Sequence, residues 1–261
     1  MSGRVFRRIT RLDPDRDHQE IYRLSTTCEF PFDTRRALEF ALFRTFAIPS
    51  IAGLLDSTKG FERAAQKRYR ETDATLFQII EHGYDSPQGV ASIERMNRIH
   101  RRFAISNEDM LYVLSMFIFE PIRWNRHFGW RPLTSGERRA AFRFWCEVGH
   151  RMGIREIPKE EFALESYNRA YESSHFQYSE AGRRVADRVR DLLADRISPS
   201  VFWPVVHRIL YAMMDKSLLT AFRYPNPPLW LRAVLHGALR LRGKCCRTFS
   251  QVRVPELRTL T

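Results

Sequence analysis

Apolar residues along this chain recur three and four positions apart, and the segments carrying them are bounded by residues that start and stop helices. No stretch of four or more alternating polar and apolar positions between hairpin turns interrupts that pattern, so strands should be few or absent. Phe32-Asp33-Thr34 offers an N-cap for a helix carrying Ala37, Leu38, Phe40, Ala41, Leu42 and Phe46, and Pro49 starts a new segment through Leu55. Phe61 to Ile80 reads as one helix, stopped near Gly83. Ser86-Pro87 opens the next, running to about Phe103, with serine at the cap and proline in the first turn. Ser106-Asn107-Glu108-Asp109 caps a strongly apolar helix through Phe119, which Pro121 bends or ends. Thr134 and Glu137 have capping-box spacing ahead of a helix to Met152, with Gly153 as its C-cap. Further helices are expected at 158–174, 178–195, 199–222 and 227–243. With no fixed-period repeat and no Gly/Ser linker, the expectation is a single all-α multi-helix domain at 30–240. An N-terminal extension at 1–29 precedes it, and a basic tail at 241–261, loose from Gly243 onward, follows.

Charge and cysteine content narrow the function classes. The net charge is +13, and only five of the 43 basic residues are lysines. Such a balance invites a nucleic-acid or anionic-membrane partner. The basic residues are nevertheless interleaved with 30 acids, and no helix-turn-helix, zinc-finger or RNA-recognition signature is present, so nucleic acid is set aside. The four cysteines, Cys28, Cys146, Cys245 and Cys246, form no CxxC and no CxxCH, which points to a reducing compartment and against covalent haem attachment. No apolar h-region follows the basic N-terminus, and the longest apolar runs, Leu111–Phe119 and Val201–Met214, are too short or too interrupted to span a bilayer. The expected location is the cytoplasm. The segment from Pro227 to Lys244 combines apolar residues, Trp230 and a basic flank; it suits either a helix lying on an anionic membrane or a terminal helix docked on the core.

Familiar catalytic signatures are missing: no phosphate-cradling glycine loop, no H-E-x-x-H and no nucleophile elbow. No two of the eight histidines sit at helical i, i+3 or i+4 spacing, so a two-histidine metal site on one helix is excluded. His100 falls on the apolar stripe of its helix with Ile93, Met96 and Phe103. It reads either as a core histidine bonded to a backbone carbonyl or as an axial ligand to a metal or haem iron. One helix earlier, Arg68 and Thr72 stack on one face in line with Leu76 and Ile80. An inward arginine there needs an anionic partner, either a carboxylate such as Glu94 or Glu120 or a ligand carboxylate.

Several stretches, in order and spacing, resemble the MpaB/rubber oxygenase (latex-clearing protein) family of haem-dependent oxygenases. They are Arg44–Leu55, Arg68–Thr72, Arg95–His100, Ile105–Asp109, Glu120–Trp124, Phe128–Arg131 with Glu137, and Gly149–Pro158. The likeness covers roughly residues 30 to 175, with a weaker continuation to about 240. It implies a non-covalent haem b in an all-α fold with a globin-like centre, and O2 as co-substrate. His100 falls at the family's proximal iron ligand, and Arg68 and Thr72 at the arginine and threonine beside the haem. The implied substrate is small and hydrophobic, isoprenoid or alkene-bearing, with Phe77, Met110, Phe117 and Phe119 as candidate channel walls against their reading as ordinary core. Glu71 stands where rubber oxygenases carry a lysine able to close the distal iron position, so that closed state is not expected here. Asp56 and Glu62 lie in the region of the rubber enzymes' catalytic glutamate, yet neither is assigned as a general base. The alternative is a non-catalytic haem or hydrophobic-ligand binding protein on the same fold.

Overall fold

The structure, a computed structural model, describes residues 2–248, with the side chains at 2–3, 60–65, 68–69 and 247–248 outside the described set. Thirteen α-helices follow one another with no strand among the described residues: α1 Ser2–Ile9, α2 His18–Leu24, α3 Pro31–Phe46, α4 Pro49–Ser57, α5 Gly60–His82, α6 Pro87–His100, α7 Asn107–Phe128, α8 Ser135–Arg151, α9 Glu161–His175, α10 Glu180–Ile197, α11 Trp203–Met213, α12 Lys216–Phe222 and α13 Leu229–Thr248. A π-helical turn, Ser25–Glu29, joins α2 to α3, and a short 3-10 turn, Ser200–Phe202, leads into α11. The chain is all-α, as its periodicity dictates.

The capping residues act as their positions require. Ser86 Oγ accepts from Gly89 N–H at 2.9 Å, and Ser106 Oγ accepts from Asp109 N–H at 3.0 Å. Thr134 and Glu137 form the reciprocal box, Thr134 N–H donating to the Glu137 carboxylate at 2.8 Å and Glu137 N–H to Thr134 Oγ1 at 3.2 Å. At the far end of α8, Gly153 adopts φ +76°, Ile154 N–H returns to the Gly149 carbonyl and Gly153 N–H to that of His150. This is the Schellman ending that a glycine at that position permits.

Helix α7 is the central strut. It packs on α3, α8, α9 and α13, and its buried residues face several directions at once. One side joins Ile79, Ile80, Ile93, Phe144 and Trp145 from α5, α6 and α8. Another meets α3 and α9 through Tyr112, Met116, Ala41 and Tyr171. A separate cluster of Phe43, Phe46, Val185, Val189, Leu210 and Phe222 holds α10, α11 and α12 against α3. The N-terminal extension is docked: Ile9, Ile21, Tyr22 and Leu24 are buried, and Trp145 Nε1 donates to Tyr22 Oη at 2.7 Å.

Four local expectations need correction. Pro121 does not end its helix; α7 runs on to Phe128, because the residues beyond it, Trp124 and Asn125, are as buried as those before. The missing N–H is tolerated within that packing, and Asn125 Nδ2 donates to the Pro121 carbonyl at 2.9 Å. Helix α3 starts at Pro31, so Asp33 lies in the first turn, where its carboxylate accepts from Trp124 Nε1 at 2.9 Å and pairs with Arg242. The expected helix at 199–222 is two, because Asp215 caps α12 by accepting from Leu218 N–H at 2.9 Å. The tail is helical through 248, beyond the expected loosening at Gly243; Gly243 is buried against the carbonyls of Phe128 and Gly129.

No single helix among the described residues is long and apolar enough to cross a membrane. The pair α3 and α4 passes by length and composition together, but it is bent by 95° and α3 is largely core.

Candidate functional site

Helices α5 and α6 form a hairpin whose turn is drawn tight at Gly89. A Cβ at Gly89 would stand 1.9 Å from the Gly83 carbonyl oxygen, so only glycine allows this approach. Thr72 lies ten residues before the end of α5 and His100 thirteen residues after the start of α6. At 1.5 Å per residue these are about 15 and 20 Å from the turn, which puts both residues toward the same end of the hairpin.

His100 is the last residue of α6, half-buried rather than sunk in the core. It lines a cleft of about 440 Å³, within the range of small-molecule sites. The walls come from three helix ends. Asn97, His100, Arg101 and Phe103 belong to the end of α6; Ile105, Asn107 and Met110 to the start of α7; and residues 151–155 to the end of α8 and its following turn. Two asparagines tie these walls together. Asn97 Nδ2 donates to the Arg151 carbonyl at 2.9 Å, and Asn107 Nδ2 to the Arg155 carbonyl at 3.1 Å. Asn107 Oδ1 in turn accepts from Arg155 N–H at 2.8 Å.

The lining is amphiphilic. Phe103, Ile105, Met110, Met152 and Ile154 supply apolar surface, and Arg101, Arg151 and Arg155 supply positive charge. Arg151 is already engaged: it pairs with Asp85 at 2.6 Å and Glu147 at 2.9 Å and lies 4.1 Å over the Tyr84 ring. Burial acts to lower its pKa, and the two carboxylates outweigh that and raise it. Among the described residues no ion pair joins Arg101 or Arg155 to a carboxylate, so the cleft carries cationic side chains toward solvent.

The residues singled out from the sequence divide clearly. His100 and Met110 line the cleft. Thr72 is exposed on α5 and does not line it, although Leu76 and Ile80 on the same stripe are buried. The side chain of Arg68 lies outside the described residues. Phe119 is buried in the core, and Phe117 stacks on Trp145 at 4.9 Å, so both pack rather than line a channel. Phe77 lies 5.5 Å beneath the Arg35 guanidinium. Glu120, a candidate partner for Arg68, is held by Arg123 at 2.8 Å and lies 3.6 Å from Arg44. Asp56 pairs with Arg184 at 2.7 Å.

Other motif residues hold the fold rather than the cleft. Arg131 forks the Glu137 carboxylate at 2.6 and 2.8 Å and lies 4.3 Å over Phe6 and 4.8 Å over Phe30. Burial pushes Glu137 up, and the Arg131 fork and the Thr134 N–H outweigh it, holding the carboxyl below its ordinary value. Asp109 accepts from Ser50 Oγ and Tyr171 Oη, each at 2.9 Å. The sequence reading missed Asn97, Asn107, Arg101, Arg155 and the apolar residues around them. The sequence does carry a signal: Arg95–His100, Ile105–Asp109 and Gly149–Pro158 are each stretches that resemble the family, and all three supply residues to this cleft.

Over residues 37–243 the chain matches the family described as ER-bound oxygenase mpaB/B'/Rubber oxygenase, catalytic domain. It is 30% identical to ER-bound oxygenase mpaB of Penicillium roqueforti (strain FM164) over 228 residues, 80% of this chain and 76% of that protein. It is 28% identical over 243 residues to ER-bound oxygenase mpaB' of Penicillium brevicompactum, covering 86% of this chain. With mpaB of the same species it shares 29% over 220 residues, 77% of this chain. The chain spans 57% and 55% of those two relatives' lengths. The chain therefore belongs to the mpaB/B' and rubber oxygenase catalytic-domain family, a family of oxidoreductases that use O2.

Proposed function

We propose that this protein is a haem b-dependent oxygenase whose reaction site is the cleft beside His100, acting on a small hydrophobic, alkene-bearing or isoprenoid substrate. The observation that carries this reading is the convergence of three separated motif stretches on one cleft with an imidazole in its wall. The donor set fits haem rather than a bare ion. Among the described residues no group of three or more His, Cys, Asp and Glu comes together, whereas iron already held by a macrocycle needs one imidazole from the protein. The lining fits as well, with apolar walls for the macrocycle and the exposed Arg101 and Arg155 for its carboxylates.

Bound there, haem supplies O2 binding and the oxidative chemistry. The chain's own part is to bind, orient and exclude water. His100 is the iron ligand, acting as neutral imidazole. Phe103, Ile105, Met110 and Ile154 give the substrate an apolar surface and keep water from it. Arg101 and Arg155 meet carboxylate, and Asn97 and Asn107 fix the 151–155 wall at its distance from α6 and α7 respectively. Arg68 and Thr72, which the family resemblance sets beside the haem, lie toward the same end of the α5–α6 hairpin as His100, but Thr72 is not part of the cleft wall. No general base is assigned, and Glu71, exposed on α5, offers no neutral amine to the iron.

The test is an absorption spectrum of protein produced with haem available, before and after dithionite and CO, beside His100→Ala. A Soret band that shifts on CO in the wild type and is lost in His100→Ala is expected. A folded, colourless protein that takes up no added haem would overturn the reading.

A further inference from the structure

Helix α13 carries apolar residues on its outer face as well as on its inner one. Arg232, His236 and Arg242 turn toward the protein. Arg232 Nη2 donates to the Met214 carbonyl at 2.8 Å, Arg242 pairs with the buried Asp33, and His236 packs on the Phe128 ring at 5.0 Å. The opposite face is apolar and bare: Leu229 is 83% exposed, Trp230 66%, Val234 62% and Leu241 61%. Ala233, Gly237 and Ala238 are exposed between them, so Trp230, Val234, Gly237 and Leu241 make a continuous stripe at helical spacing. A soluble surface helix keeps its outer face polar, and an uncovered apolar stripe of this length marks a surface that something covers.

Charge identifies the cover. No Asp or Glu occurs between Asp215 and Glu256, while eight Lys and Arg do. Arg240 and Lys244 flank the stripe and are exposed. A second copy of the chain laid on this face would bring two such cation-only segments together, which like-charge repulsion opposes. An anionic bilayer surface answers both features at once, with apolar acyl chains beneath the stripe and lipid phosphates beside the cations. We propose that α13 lies in the plane of an anionic membrane surface, with Trp230, Val234 and Leu241 entering the acyl region and Arg240 and Lys244 at the headgroups. Because Arg232 and Arg242 are spent on holding α13 to the body, the docked helix carries the whole domain to the bilayer.

The experiment is sedimentation of the full chain with phosphatidylcholine vesicles with and without phosphatidylserine, together with quenching of tryptophan fluorescence by lipids brominated in the acyl chain. Partition onto the phosphatidylserine vesicles, reversed by high salt, is expected. Val234→Asp/Leu241→Asp should weaken it by roughly tenfold or more, whereas Phe162→Asp, which alters an 80% exposed residue on α9, should not. Brominated acyl chains should quench the wild type and lose that quenching in Trp230→Phe, a variant that leaves the fold alone. Absence of partition, equal partition of the double aspartate variant, or quenching unchanged in Trp230→Phe would each overturn the proposal. So would a dimer in solution that Val234→Asp/Leu241→Asp dissolves, since a second copy would then be the cover.

Discussion

Arg44 on α3 and Glu172 on α9, 128 residues apart, meet side-on as a guanidinium–carboxylate fork, with Nε 2.7 Å from Oε1 and Nη2 on Oε2. The same guanidinium pairs with Asp215 at the start of α12, and Tyr112 Oη of α7 donates to Glu172 Oε1 at 3.2 Å. One largely buried cation thus joins three segments of the chain. Burial alone would lower its pKa, and Glu172, Glu120 and Asp215 together raise it well above the ordinary value.

Removing that cation leaves carboxylates facing one another in a poorly solvated place. Arg44→Ala should cost about 3–5 kcal/mol, the usual penalty for breaking a buried pair from one side. Arg44→Lys, which keeps the charge and loses the fork, should cost less. Urea denaturation of the three proteins gives the order; an Arg44→Ala midpoint equal to wild type would refute the role assigned to the cluster. An acid limb follows from the same contacts. Burial raises Asp215 and Arg44 outweighs it, so its folded pKa lies below the ordinary 3.8. Its contribution is present above pH 3.8 and lost as pH falls through the folded value, and that loss should vanish in Arg44→Ala.

Gly89 sets the α5–α6 hairpin. Gly89→Ala places a methyl group on the Gly83 carbonyl and should cost about 1–3 kcal/mol, a cost typical of overpacking. Because the strain sits in the hairpin that carries His100, uptake of the proposed haem should fall together with stability. Gly136→Ala, with open space around its Cβ, is the control, and an equal thermal shift in both would count against a tight turn at Gly89.

Asn107 tests the cleft wall. Asn107→Ala removes two hydrogen bonds to the Arg155 backbone, for a loss of about 1–3 kcal/mol. On the proposed haem site, transfer of haem from the variant to an acceptor protein should be faster than from wild type. An unchanged transfer rate would show that the 151–155 wall does not hold the group.

Mild acid should loosen α13. Burial of His236 lowers its pKa below 6.5, Arg232, Arg240 and His127 add to that, and a hydrogen bond to the Ala212 backbone opposes it. The unfolded chain therefore takes up the proton first. Stability is intact above pH 6.5, falls as pH drops below it, and stops falling once the folded value is passed. His207, lowered by burial and by Arg190, adds to the same slope. Thermal melts across this range should be flatter for His236→Gln than for wild type; identical slopes would place the effect elsewhere.

Where local chemistry decides, the sequence was legible. Ser86, Ser106, Thr134 and Gly153 each act as caps, because a cap is a contact between neighbours along the chain. The errors arose where distant residues decide. Pro121 continues its helix because both faces beyond it are packed, and Asp33 abandons capping for Trp124 and Arg242, which lie far along the chain. The site followed the same rule. His100 stood out by its stripe and by resemblance, but Arg101, Asn107 and Arg155 gain meaning only when three helix ends meet. Thr72 matched a motif and is exposed, since being level with His100 on a hairpin does not place a side chain on the same wall.

That meeting of helix ends bears on how such a pocket can change. Phe103, Ile105 and Arg155 belong to connections and stand outside the packed layer of Ile118, Phe144 and Trp145 that secures the helices behind them, whereas Ile154 belongs to that layer and Met152 packs against it. Substitutions at Phe103, Ile105 or Arg155 can reshape what the cleft admits without disturbing that layer, while those at Met152 or Ile154 reach it. Selectivity and foldability are thereby only partly entangled, and a lineage built on this scaffold can alter what its cleft admits through the connection residues that the core does not use while the helices stay where they are.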